Sequence, residues 1–139
     1  MTTPTIIQTT LLHYLSLLPV IAFTHTTNQR LYTSYAAIIT LSSTLSVVWH
    51  SMGEPENEWQ LLDYSAAAAW SMYNIISIER VNPALVSRVV YLELLILSMN
   101  QAIDYYVKKK LISYVVWHSR WHVASAMKSL YISYLLCSV

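Results

Sequence analysis

Glycine, cysteine and phenylalanine each occur once in 139 residues, and charged side chains make up only 11%. With one glycine and four prolines, the chain is neither collagen-like nor glycine-rich, nor a sheet protein built on tight glycine turns. The lone cysteine excludes an internal disulfide framework and any cysteine-based zinc finger. Charge falls short by about half of the roughly 25% usual in soluble domains. Its balance, eight Lys and Arg against seven Asp and Glu, gives a net +1 and no basic field for a nucleic acid. Met1 to Thr10 carries no Lys or Arg, so the start reads neither as a secretory signal nor as an Arg-rich transit peptide. What is plentiful is apolar mass: 55% hydrophobic residues, including eleven tyrosines and five tryptophans, and a mean hydropathy of +0.42. This composition predicts an all-α, polytopic membrane helix bundle, a single transmembrane domain over residues 1–139.

A span needs about 20 mostly apolar residues at 1.5 Å rise each. Five segments qualify: residues 5–23 with a kink at Pro19, 31–50, 59–78, 84–107, and a last one from beyond Lys110 to residue 137. Asn82-Pro83 stops the third and favours a helix start just after it. Short connections make neighbours antiparallel. Arg30, Arg80 and Arg88 on one side balance Lys108, Lys109 and Lys110 on the other, so the positive-inside rule leaves the orientation open.

Charges inside the spans carry more information, because each must face protein, water or a partner. Glu93 lies deep in the fourth segment, and Arg120 and Lys128 in the fifth. The expected arrangement pairs Arg120 with Glu93 or Asp104 and leaves Lys128 to snorkel or to meet another subunit. Asn100 and Gln101 are expected to form interhelical hydrogen bonds.

Five residues stand apart from this background. Ser46 and His50 are four apart near the end of the second helix, Asp63 lies at the start of the third, and His118 and His122 are four apart in the fifth. An i,i+4 pair shares one helical face, so two imidazoles at that spacing can hold one metal. Antiparallel topology brings all five residues toward the same leaflet from three helices. Taken singly, Ser-x-x-x-His and His-x-x-x-His read as polar packing contacts. Together they read as a metal site, since three imidazoles with a free fourth position are the ligand set of catalytic zinc. Asp63 then orients the attacking water or acts as general base, and Ser46 hydrogen-bonds the water or the developing oxyanion. His13 and His25 are expected to stay outside the cluster.

The set Ser-x-x-x-His, Asp, His-x-x-x-His resembles the CREST superfamily of transmembrane hydrolases, which includes the alkaline ceramidases, the adiponectin/progestin receptors and the myomaker branch. Leu18-Pro19, Arg30-Leu31-Tyr32, the stretch from Ser46 to Met52, Asp63-Tyr64 through Trp70, and Trp117-His118-Ser119-Arg120-Trp121-His122 carry the likeness to the myomaker branch. The resemblance covers most of residues 15–75 and 112–130. It implies zinc held by His50, His118 and His122, with Ser46 and Asp63 contacting its water. The family has seven membrane helices where this sequence offers five. The 54 residues between Asp63 and His118 hold little more than one extra crossing.

Two functions follow from this. The first is an accessory subunit of a multi-subunit membrane complex, built on a shortened CREST-like scaffold with a retained zinc site and contacting lipids and other transmembrane subunits. A mitochondrial inner-membrane location is favoured over the endoplasmic reticulum, Golgi or plasma membrane, and the lack of any Asn-x-Ser/Thr sequon fits it. The alternative is a zinc-dependent lipid amidase or esterase of the ceramidase or phospholipase kind.

Overall fold

The computed structural model describes residues 4–23 and 29–138. Within them the backbone forms five helices joined by short connections: α1 (Pro4–Ala22), α2 (Gln29–Ser51), α3 (Glu58–Val81), α4 (Val86–Lys108) and α5 (Tyr114–Cys137). No strand occurs among the described residues. The helix bounds fall within a few residues of the apolar segments, because local signals set them. Asn57 caps α3, its side chain accepting the Trp59 backbone N–H at 3.0 Å. Asn82 ends α3, and Pro83 opens a single 3-10 turn, Pro83–Leu85, ahead of α4. Lys110 takes a left-handed φ of 57° and terminates α4. The last helix therefore starts at Tyr114 rather than directly after the lysine run.

The irregularity in α1 is a 3-10 stretch, Leu12–Ser16, one turn before the expected kink at Pro19. Pro19 has no N–H to give to the carbonyl four residues back, and its ring crowds that carbonyl, so the preceding turn tightens.

α5 is the innermost helix, packing on α1, α3 and α4, while α2 lies against α1 and α3. The apolar core gathers at one end of the bundle, from Val20 at the end of α1, Tyr35 and Ile39 early in α2, Ile78 late in α3, Val89 early in α4, and Ile132 and Leu136 late in α5. Elsewhere the interior mixes buried apolar residues such as Ile6, Trp49, Ile96 and Ile103 with many buried polar ones. Ser125, Ser129 and Ser133 line one face of α5 and are buried, and the Ser133 hydroxyl donates to the backbone carbonyl of Ser16. Small residues of this kind let helix backbones approach closely. On the outside, Leu11, Leu18 and Ile21 on α1 and Tyr91, Leu94 and Leu97 on α4 are exposed. So many buried polar side chains under so many exposed large apolar ones is unlike the usual soluble domain. Three helical segments, Pro4–Ala22, Arg30–Ser51 and Pro83–Lys108, are long and apolar enough to cross a membrane. α3 and α5 are of comparable length but are not among the segments apolar enough to cross a membrane by the same measure.

The interior charges pair differently from the sequence expectation. Lys128, not Arg120, meets Glu93, at 2.6 Å, and both side chains are largely buried. Ser71 and Asn74 of α3 each donate to the same carboxylate at 2.9 Å, so three helices converge on Glu93. Arg120 is exposed and stacks over the Trp117 ring at 4.7 Å, with no acidic partner among the described residues. It points away from the histidines, as its position about 200° around the helix from His118 and His122 requires. Asn100 and Gln101 make no interhelical hydrogen bond among the described residues. That role falls to Asn74, whose side-chain oxygen accepts from the Tyr35 hydroxyl at 2.7 Å.

Candidate metal centre

The end of the bundle opposite the apolar core holds the histidines. α2 ends there, α3 and α5 begin there, and the i,i+4 spacing turns His118 and His122 onto one buried face of α5. His50, His118 and His122 are all buried, and one ring nitrogen from each lies within 4.8 Å of the other two. The Nε2 atoms of His50 and His122 face each other at 2.9 Å. Starting α5 at Tyr114 places His118 only four residues into the helix, which brings it to the depth of His50.

The hydrogen bonds decide which atoms are available. The His50 Nδ1–H donates to Glu54 Oε1 at 2.8 Å, which leaves the His50 Nε2 lone pair directed at His122. Neither ring nitrogen of His118 has a hydrogen-bond partner, and Nδ1 of His122 has none either. Buried imidazole nitrogens without partners are costly, and a cation satisfies the lone-pair nitrogen of each ring. Tetrahedral ligands about 2.0–2.1 Å from a zinc ion stand roughly 3.3 Å apart. The close His50–His122 pair approaches that spacing, and a nitrogen of His118 lies within 4.8 Å of both. The donor set therefore fits a metal ion.

Asp63 is buried at the same end, one and a half turns into α3, as an electrostatic neighbour of His50. Ser46 of α2 is a neighbour of the Asp63 carboxylate. All five residues singled out in the sequence thus meet at one end of the fold.

Four more residues belong to this neighbourhood and were not foreseen. Glu54 accepts from His50 through one carboxylate oxygen and from the Tyr114 hydroxyl through the other. Burial pushes its carboxyl up, but the hydrogen bonds from His50 and Tyr114 outweigh that and hold it below its ordinary value. The Tyr114 ring stacks on His118 at 4.7 Å between centroids. Thr10 of α1 places its hydroxyl 3.2 Å from His122 Nε2. His13, expected outside the cluster, stands edge-on to His122 at 5.5 Å, and its Nδ1–H donates to the Thr10 carbonyl at 3.0 Å. It adjoins the three ligands without joining them, because the 3-10 stretch of α1 turns it inward. His25 lies outside the described residues. The one sequence signal for Glu54 was its spacing of four from His50, concealed because Glu54-Pro55-Glu56 reads as a solvated acidic loop. Compared with known protein families, curated proteins and solved structures, the chain matches none at a significant level.

Proposed function

We propose that this chain is a zinc-dependent hydrolase of lipid amides or esters, acting at one end of a bundle whose five helices all cross the membrane. The observation that carries this reading is the set of three buried imidazoles, two of them with unpartnered nitrogens, drawn from two helices and set beside the buried Asp63 and its neighbour Ser46. The apolar exterior supports a membrane setting, and a lipid acyl amide or ester is the substrate class that such a setting delivers. The motif resemblance to the CREST hydrolases points the same way.

When bound, zinc supplies Lewis acidity that activates water and polarises a carbonyl at neutral pH. The chain itself handles the proton. The Asp63 carboxylate takes it from the attacking water and returns it to the departing amine or alkoxide. Ser46, beside Asp63, orients that carboxylate. His50, His118 and His122 hold the metal.

The subunit reading drew part of its support from interior charges in need of outside partners. Lys128, the one charge left to meet another subunit, pairs with Glu93 within the chain, which removes that support at its position. The deciding experiment reconstitutes the zinc-loaded protein in vesicles with a ceramide or a glycerophospholipid and measures fatty-acid release. The expected result is release by the native chain and a loss of about 10²-fold or more in Asp63→Asn, with zinc content unchanged. A zinc-loaded native chain that releases no fatty acid from either lipid, and purifies in fixed ratio with other membrane proteins, would establish the subunit instead.

A further inference from the structure

We propose that Glu54 is a positioning residue of the metal centre, its two carboxylate oxygens tying His50 directly and His118 through Tyr114 into one arrangement. This inference rests on the metal reading above and goes beyond it, because neither Glu54 nor Tyr114 belongs to the ligand set.

Three independent features converge on Glu54. The first is chemical. A carboxylate that accepts the Nδ1–H of a metal-binding histidine fixes its tautomer, its ring plane and its donor strength. The 2.8 Å bond from His50 Nδ1 to Glu54 Oε1 does this, presenting Nε2 to the cluster. The second is the bridge. The Tyr114 hydroxyl donates to Glu54 Oε2 while its ring lies nearly parallel to His118, at an interplanar angle of 24°. One side chain in the loop after α2 therefore sets the attitude of a ligand on α2 and of another on α5.

The third feature is the backbone. Glu54 has φ of 57°, in the left-handed region that non-glycine residues avoid, directly after Gly53 at φ 88°. The two left-handed residues close α2, with the Glu54 N–H donating to the Trp49 carbonyl at 3.2 Å and the Gly53 N–H to the His50 carbonyl at 3.2 Å. This reversal returns the Glu54 side chain to His50, the residue four positions earlier. The Trp49 indole N–H, donating to the Pro55 carbonyl at 3.0 Å, holds the turn from the other side. Strain at a non-glycine residue persists where surrounding contacts over-determine it, and such positions concentrate at functional sites.

The test uses the full chain in nanodiscs, with zinc affinity measured by chelator competition and the visible bands of the cobalt-substituted protein recorded in parallel. Four variants are compared: Glu54→Gln, Tyr114→Phe, His50→Ala and Asn57→Ala. Asn57→Ala loosens the start of α3 beside the same loop without touching either carboxylate oxygen. The expected result is a 10- to 100-fold weaker zinc affinity in Glu54→Gln, of the size outer partners of metal ligands contribute, with altered cobalt bands and unchanged helicity. Tyr114→Phe, which keeps the ring on His118, weakens binding less, and Asn57→Ala leaves affinity and bands as in the native chain. Native affinity in Glu54→Gln alongside lost binding in His50→Ala overturns the positioning role and leaves the metal site standing. Equal weakening in Asn57→Ala and Glu54→Gln also overturns it, reducing Glu54 to loop order. A native chain that binds neither zinc nor cobalt overturns both readings.

Discussion

At the residue scale, Glu54 and Asp63 are two buried-end carboxylates with different surroundings. Asp63 has Ser46 and His50 as neighbours, whereas Glu54 accepts hydrogen bonds from both an imidazole and a phenol. Those bonds favour its charged form and hold its folded pKa below the value in the unfolded chain. The sign of the linkage follows. Above the ordinary carboxylate range Glu54 contributes its full stabilisation, and that contribution is lost as the pH falls through and below the range. Thermal unfolding of the metal-free protein from neutral pH downward should show a decline in stability there, and Glu54→Gln should flatten that decline. An identical decline in the variant would assign it to other carboxylates.

At the element scale, the turn that closes α2 is the part of the site most exposed to small changes. Nothing lies within 4 Å of where a Cβ on Gly53 would stand, so Gly53→Ala meets no steric obstacle. Its backbone at φ 88° is unfavourable for any side chain, and the left-handed region costs an L-residue roughly 1–2 kcal/mol. The expected outcome is a loss of stability of about that size, read from denaturant unfolding, together with weaker zinc binding, because relaxing Gly53 moves Glu54. Unchanged zinc affinity in a destabilised Gly53→Ala protein would separate the turn from the site. α1 contributes differently. Thr10 in its α-helical start and His13 in its 3-10 stretch both stand against His122 and cover the cluster there.

At the scale of the whole molecule, the ion pair of Lys128 and Glu93 joins α4 to α5 in the interior, and Ser71 and Asn74 tie α3 to the same point. Replacing buried pairs by apolar residues is often neutral, but removing one partner leaves a buried charge uncompensated and costs roughly 3–5 kcal/mol. Lys128→Met alone is therefore expected to destabilise the folded bundle by about that amount, and Lys128→Met with Glu93→Gln to recover most of it. Reversible unfolding in mixed micelles measures both. Equal destabilisation by the single and double changes would show that Glu93 matters through its bonds to α3 rather than through Lys128.

The sequence by itself determined the five helices and the grouping of His50, His118 and His122. Both are local properties: run length and breakers such as Asn82-Pro83 and the lysine run set helix ends, and a spacing of four sets a shared face for Ser46 with His50 and His118 with His122. Antiparallel connection then carried these faces to one end. The tertiary structure decided which faces of different helices touch. Arg120 and Lys128 lie eight residues apart, about 80° around α5, so only the rotation of that helix about its axis determines which of them reaches Glu93. The burial of serines against α1, which seats Thr10 and His13 beside His122, depends likewise on the packing of helices distant in sequence. Glu54 reaches His50 through two left-handed residues that end the helix between them, a backbone path that hydrophobic periodicity does not encode.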